Sequence, residues 1–416
     1  MKNEKSLKSI ITIFSLSLMM FGCGATESLN APKSSGPNGS YVCGCGGSCT
    51  STAGDGIPDT WKTIGVDSKC SGVVDLDLSA YGADPRHKDI FVRVDTMAPR
   101  PDHSAVFTLT DAAMKALVDS FSNAPVLNPD GTTGIHLHLI HGLEVPYSKV
   151  VTLYSEHSYP SCAGNDFQFL GNLKTQFMPA AQAMVFHYAL IADMNSCDTV
   201  ENCYACNTST NTPEFNSTGT SVLHSKNFVV SLGSLWNLGA YSGNLETSVT
   251  YTQTLAGTLM HELGHNFGLR HGGGLEDTPN YKPNYLSVMN YRYQMNGIPT
   301  VSGGHRIDYS REALPDLNEA LLDETSGLGS SDPTLRFTFV DATCTPRIAN
   351  ASGPVDWNGN GIIDSTPVSS DLNPAEDPSR NCGDVMNEQM HGHEDWSVLD
   401  YGFYSQQVLP DSNSSW

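Results

Sequence analysis

Residues 261–271 read His261-Glu262-Leu263-Gly264-His265-Asn266-Phe267-Gly268-Leu269-Arg270-His271, a spacing that asks for a helix, a sharp turn and a metal ion. Positions four apart lie one above the other on a helix, so His261 and His265 can grip one ion together. Glu262 sits beside them, its carboxylate near the ion but free to act on a water molecule. Gly268 can adopt positive φ, which stops the helix and turns the chain back. That turn brings His271 round as a third nitrogen ligand. Three protein ligands leave a fourth position open, as in a catalytic rather than a structural zinc site. The bland alternative is a helix carrying two satisfied histidines and a solvated glutamate, and it fits the spacing less well.

Met289 follows His271 by eighteen residues, within Ser287-Val288-Met289-Asn290-Tyr291. Together the two segments resemble the metzincin metalloproteases, with H-E-x-x-H-x-x-G-x-x-H followed by a Met-turn. The resemblance implies that Met289 forms an apolar floor under the zinc histidines. It also implies that Tyr291 reaches the metal or the oxyanion, as in the astacin and serralysin branches. Those branches carry His between Met and Tyr, where this chain has Asn290, and Gly272 after the third ligand matches none of the best-known branches. The branch is therefore left unassigned. The motif-level likeness covers residues 261–291, and over residues 85–260 it is only architectural.

The start of the chain points to export. Lys2, Lys5 and Lys8 precede an apolar run from Ile10 to Phe21, then Gly22-Cys23, a secretory signal too short for a comfortable membrane span. A small residue directly before cysteine resembles a bacterial lipobox, with Cys23 lipidated as the new N-terminus. Met20 and Phe21 depart from the usual pattern, and ordinary secretion is the alternative. Gly24 suits outer-membrane sorting in a host with two membranes. The chain has 11 Cys. With Cys23 set aside, the remainder is even, as disulfides in an oxidising compartment require. Cys203-x-x-Cys206 lacks the second pair a zinc ribbon needs, so disulfides or turn staples are the better account. The pairing is open.

At 416 residues the chain can bury a sizeable core. The formal charge is −22, and loss of residues 1–22 removes three Lys and one Glu, leaving about −24. Such a surface disfavours nucleic acid and anionic lipid headgroups, and suits bound calcium. We divide the chain into a signal peptide (1–22), a Gly/Ser/Cys-rich tether (23–54), an N-terminal catalytic subdomain (55–271) and a C-terminal subdomain (272–416). Strand-like patterns occur at 89–95, 134–139, 185–190 and 227–232. Thr110 caps a helix to about Phe121, with Ala113, Leu117 and Phe121 along one stripe. The metal helix should begin near Thr247 or Ser248, with Leu255, Leu259 and Leu263 buried. The expected fold is α+β: a mixed twisted sheet with the active-site helix in a metzincin-like N-terminal half, and an irregular C-terminal half.

Asp356-Trp357-Asn358-Gly359-Asn360-Gly361-Ile362-Ile363-Asp364 has oxygen ligands at positions 1, 3, 5 and 9 of an EF-hand-like loop, and glycine at 6. Asp356, Asn358, Asn360, Ile362 (through its carbonyl) and Asp364 are the candidate calcium ligands, with Asp371 as a late one. Pro367 stands where the bidentate Glu belongs, and an Asx-rich turn is the alternative. Asp55-Gly56-Ile57-Pro58-Asp59 carries a weaker hint of the same kind. His136 and His138 share one strand face. With no acidic residue near in sequence, they are read as packed or solvated. Trp396, Leu399, Tyr401 and Phe403 after His391-Gly392-His393-Glu394-Asp395 suggest a closing strand.

The expected activity is an exported zinc endopeptidase. Its extended polypeptide substrate would add as a strand at Asn227–Leu232, with specificity in a pocket including Tyr293. The other classes are an envelope zinc hydrolase of a non-peptide amide or ester, and a calcium-dependent surface adhesin without turnover. The intact Glu262 argues against the adhesin.

Overall fold

The alternating segment at 89–95 becomes an interior strand of a mixed sheet. In the computed structural model the described residues are 50–153, 167–196, 217–233, 249–274, 279–343, 345–373 and 388–401, with short pieces at 25–26, 206–207, 212–213 and 235. A short helix α1 (Asp59–Thr63) leads to strand β1 (Asp89–Met97), buried at every position. This strand is buried on both faces, as parallel strands are, and its charged residues Asp89, Arg93 and Asp95 are met by ion-pair partners. Helix α2 (Asp111–Ser122) follows, and Thr110 caps it as expected, its Oγ1 accepting from the Ala113 amide at 3.2 Å. Ala113, Leu117 and Phe121 are buried along its inner stripe.

Strands β2 (His136–Val145), β3 (His187–Ala192), β4 (Gly219–Val222) and β5 (Asn227–Ser231) complete the sheet in the order β4-β5-β3-β1-β2. Only β4 runs antiparallel to its neighbour; β5, β3, β1 and β2 are parallel. The sequence carried no signal for β4, four short residues without apolar alternation. Its presence makes β5 an interior strand, so 227–232 is not the free edge expected above. Ala25–Thr26, from the presumed tether, pairs in parallel with Ser221 and Val222 on the outer side of β4. The strand expected at 185–190 starts later, because Pro179 opens a helical turn, Ala180–Val185, that must finish first.

Helix α3 (Val249–Asn266) carries the metal motif and packs on β4, β5 and α2. Its start at Thr247 or Ser248 lies outside the described residues. Leu255, Leu259 and Leu263 are buried as the four-residue interval requires, each contributing roughly 1.5–3 kcal/mol of burial free energy. A four-residue helix α4 (Tyr291–Gln294) follows the Met289 segment, and a hairpin of β6 (Arg336–Val340) and β7 (Pro346–Asn350) forms much of the remainder.

The described residues gather into two apolar cores. One joins the sheet, α2 and α3; the other gathers Tyr293, Phe337, Phe339 and Trp357 beneath the hairpin. They do not divide at 271/272. Tyr285, Val288, Met289, Tyr309 and Trp396 cross over to complete the first core. Among the described residues, 396–401 form no closing strand. Trp396–Val398 is instead a single 3-10 turn, and Trp396 is wedged against Phe121 and Tyr309 with ring centroids at 5.1 and 4.9 Å. Phe403 lies outside the described residues, as do Cys23, the signal segment and most cysteines. Cys70 is disulfide-bonded.

Residues 50–54 are part of the folded unit rather than tether: the Thr52 amide and hydroxyl both donate to Asp59. Asp55 is not set up for calcium either. It is buried and accepts from the Ile57 and Asp89 amides and from the Lys62 ammonium, which also pairs with Asp89 at 2.7 Å. Lys62 donates further to the carbonyls of Asp84 and His87. A buried ammonium so enclosed is a structural counter-charge, and its removal leaves two carboxylates without compensation. Lys62→Ala should therefore cost about 3–5 kcal/mol of unfolding free energy in urea titration. A loss below about 1 kcal/mol would contradict this account.

Candidate metal centre

Glycine sets the geometry of the motif. Gly268 has φ +87°, and a Cβ there would collide with the His224 ring. Both the backbone and the space therefore demand glycine. The Leu269 amide donates to the Gly264 carbonyl at 3.0 Å and the Gly268 amide to the His265 carbonyl at 2.9 Å, the paired bonds of a Schellman stop. The chain reverses, and His271 returns to the helix. Asn266, the last helical residue, pins this end to the sheet. Its Nδ2 donates to the Ser221 and Ser225 hydroxyls, and its Oδ1 lies 2.9 Å from His187 Nδ1. Burial pushes His187 down to about 3, so its neutral ring donates to Asn266 throughout the physiological range.

The three motif histidines converge. His265 Nε2 lies 3.1 Å from His261 Nε2 and 3.1 Å from His271 Nε2. His261 Nδ1 donates to the Val288 carbonyl at 2.7 Å and His265 Nδ1 to the Leu269 carbonyl at 2.8 Å. Those bonds fix the tautomer, so their Nε2 lone pairs face inward. Burial holds His261 and His271 well below the ordinary imidazole range, and His265 at about 4. All three rings are neutral at neutral pH. Inward-facing lone pairs at this spacing repel one another unless a cation lies between them. Tetrahedral bonds of about 2.0–2.1 Å would set the nitrogens about 3.3 Å apart. The donor set fits zinc.

Met289 is fully buried beneath α3, where a Cβ on Gly264 would strike its sulfur. Gly264 is thus small because the methionine floor passes under it. Glu262 is buried, and a Cβ on Gly219 would strike its carboxylate. The first residue of β4 therefore lies directly against Glu262, a neighbour that sequence spacing could not reveal. The Tyr291 ring stands 4.3 Å from that of His271 and 5.8 Å from that of His261. Tyr291 is accordingly on the ligand side of the centre. Asn290 is buried and donates to the Lys282 and Tyr285 carbonyls, so the residue between Met and Tyr holds the loop in shape. Tyr293 does not line a pocket. It is buried in the second core, its hydroxyl accepting from the Thr338 amide at 3.3 Å.

Asp395 was not foreseen as a site residue. Fully buried, it accepts from the Tyr285 hydroxyl (2.9 Å), the Ser287 hydroxyl (2.6 Å) and the Ser310 amide (2.9 Å), and meets His393 Nδ1 at 3.0 Å. Ser287 Oγ in turn accepts from the Met289 amide. A C-terminal carboxylate thereby holds the Met289 loop from behind.

The loop at 356–364 closes on itself. Asp356 accepts from the Gly359, Asn360 and Gly361 amides, and Asp364 accepts from the side-chain amides of Asn358 and Asn360. Ile362 donates its amide to Asn360 Oδ1. Asp371 lies beside Glu319, helping to push that carboxyl up to about 7, chiefly through burial. The carboxylate bonded to the loop is instead Glu324, buried and accepting from the Asn358 and Asp364 amides at 3.3 and 2.8 Å. His136 and His138 do have an acidic partner after all: Asp89, brought alongside by the parallel register of β1 and β2.

Comparison with protein-family models and with characterised proteins returns no match for this chain. The centre stands on its geometry alone.

Asp395→Ala should leave at least the Tyr285, Ser287 and Ser310 donors without an acceptor, at roughly 1–3 kcal/mol each. A loss of about 3 kcal/mol or more in denaturant titration is expected, with Asp395→Asn intermediate. Wild-type stability in both variants would remove Asp395 from its supporting role.

Proposed function

We propose that the chain is an exported zinc endopeptidase of the metzincin type. The observation that carries this reading is the convergence of three neutral imidazoles: the Nε2 of buried His265 lies 3.1 Å from that of buried His261 and 3.1 Å from that of half-buried His271, and the neighbouring Glu262 on the same helix is itself buried. Further support comes from Met289 under Gly264, and from a sheet-then-helix order like that of the metzincin N-terminal half.

His261, His265 and His271 would hold a zinc ion, which when bound would supply Lewis-acid polarisation of the scissile carbonyl and lower the pKa of a water towards about 7. Glu262 accepts the proton of the attacking water and delivers it to the leaving amine. Tyr291 donates to the developing oxyanion from beside His271. The extended substrate pairs with β4 rather than β5, because β4 lies against Glu262 and is antiparallel to its neighbour. The pairing of Ala25–Thr26 there supports an edge that accepts an extended segment.

A hydrolase of a non-peptide amide or ester would use the same centre, and a peptide-library screen with and without chelator separates the two. An adhesin without turnover would have no use for a buried base against the metal ligands.

Calcium in the 356–364 loop belongs to the proposal, with Glu324 supplying from elsewhere in the chain the carboxylate that Pro367 does not. Calcium bound only to the folded state should raise the melting temperature with its concentration, and Asp356→Ala should abolish the rise. A melting temperature indifferent to calcium in both proteins would count against it. Lipid attachment at Cys23 is likewise proposed, and fatty-acid analogue labelling that disappears in Cys23→Ser is the expected result. Label that is absent, or that persists in the variant, would mean simple secretion. Among the described residues no helix is long and apolar enough to cross a membrane.

The decisive test separates metal from base. Glu262→Gln should keep the zinc of this centre while losing at least ~100-fold in turnover. His265→Ala should lose the zinc of this centre, and Tyr291→Phe should lose less activity than Glu262→Gln. Full activity in Glu262→Gln would sink the mechanism, and undiminished zinc in His265→Ala would sink the ligand assignment.

A further inference from the structure

We propose a second transition-metal site, formed by Asp89, His136 and His138 at the β2 edge of the sheet. Their ligand atoms lie within 4.8 Å of one another. His138 Nε2 is 2.7 Å and His136 Nδ1 3.5 Å from the same oxygen, Asp89 Oδ1. The parallel register sets Asp89 opposite His136 and Phe91 opposite His138, and residues two apart on a strand share a face. Both rings are held in place by stacking, His136 on His87 at 3.8 Å and His138 on Phe91 at 4.2 Å.

The charge balance leaves room for a cation. Asp55 and Asp89 are both fully buried and share a single ammonium, Lys62, which engages Asp89 through Oδ2. Asp89 Oδ2 also accepts from the Asp84 amide. One negative charge is left over, and the two imidazoles gather at Oδ1. Lys62 and the Asp84 amide thus orient the carboxylate from behind, as outer partners of metal ligands do. A hydrogen bond to His138 alone would account for one ring but not for the second.

Asp89 and His138 are shielded, with side-chain exposures of 0% and 13%, whereas His136 is 46% exposed. A hydrated ion has an open approach from the His136 side, with water completing the coordination. Two imidazoles and one carboxylate suit zinc and its divalent first-row neighbours rather than calcium or magnesium. Bound there, the ion would tie the edge strand β2 to β1, and through Lys62 and Asp55 to α1. The site does not depend on the centre at His261, His265 and His271.

The test uses the full chain, stripped with chelator and dialysed against zinc, with metal content and melting temperature as readouts. The wild type is expected to hold about two zinc ions, and His265→Ala and His138→Gln about one each, while His265→Ala/His138→Gln holds none. Gln at 138 keeps a donor to Asp89. His136→Ala alters only a half-exposed side chain, so it serves as the second variant should His138→Gln fold poorly. Zinc should raise the melting temperature of His265→Ala but not of His265→Ala/His138→Gln. Equal zinc content with and without the 138 or 136 substitution would overturn this site. Equal content with and without His265→Ala would instead overturn the first centre and leave this one standing.

Discussion

The reversal of the chain at Gly268 is the constraint on which the rest depends. Two histidines a turn apart need only a helix, but the third must come back against the direction of the chain. A residue at φ +87° with no room for a side chain makes that return possible. The His224 ring that fills this space, and the Asn266 amide anchored in the loop between β4 and β5, fix the direction in which the turn leaves. The helix end is thereby welded to the sheet, and the ligand geometry inherits the sheet's rigidity.

The C-terminal half contributes to the centre less by chemistry than by support. Val288 gives a carbonyl to His261, Met289 fills the space under Gly264, and Asp395 ties Tyr285, Ser287 and Ser310 together behind both. Trp396 and Tyr309 then close the first core against Phe121. A division of the chain at residue 271 is thus reasonable for the second core but not for the first, which needs side chains from beyond that point.

Buried charge is handled locally in this protein. Lys62 answers Asp55 and Asp89, Arg93 answers Asp95 at 2.8 Å, and Arg100 answers Asp193 at 2.5 Å. Arg93 and Asp95 pair within one strand, whereas Lys62 and Arg100 join segments that apolar packing alone would leave free to slide, since hydrogen-bonded charge has a direction and dispersion does not. The cost of burying these ions is offset only where every lone pair finds a donor. Asp89 Oδ1, approached by two imidazoles rather than by an ammonium or guanidinium, is therefore informative.

The sequence by itself determined the local elements and which three histidines come together. The four-residue interval of Leu255, Leu259 and Leu263, the Thr110 cap and the H-E-x-x-H-x-x-G-x-x-H spacing all report on neighbours within a few turns, and local spacing is what a linear pattern can encode. Strand β4 was invisible because four residues of mixed polarity carry no period, yet it makes β5 an interior strand. Asp395 behind Met289, Glu324 on the 356–364 loop and Asp89 beside His136 and His138 are each separated by dozens of residues from what they touch. Tyr293 went the other way, into the second core, because its ring direction follows from how α4 packs against the hairpin. These contacts were decided only in the tertiary structure: buried carboxylates must find donors wherever the fold brings them, and no spacing along the chain records where that will be.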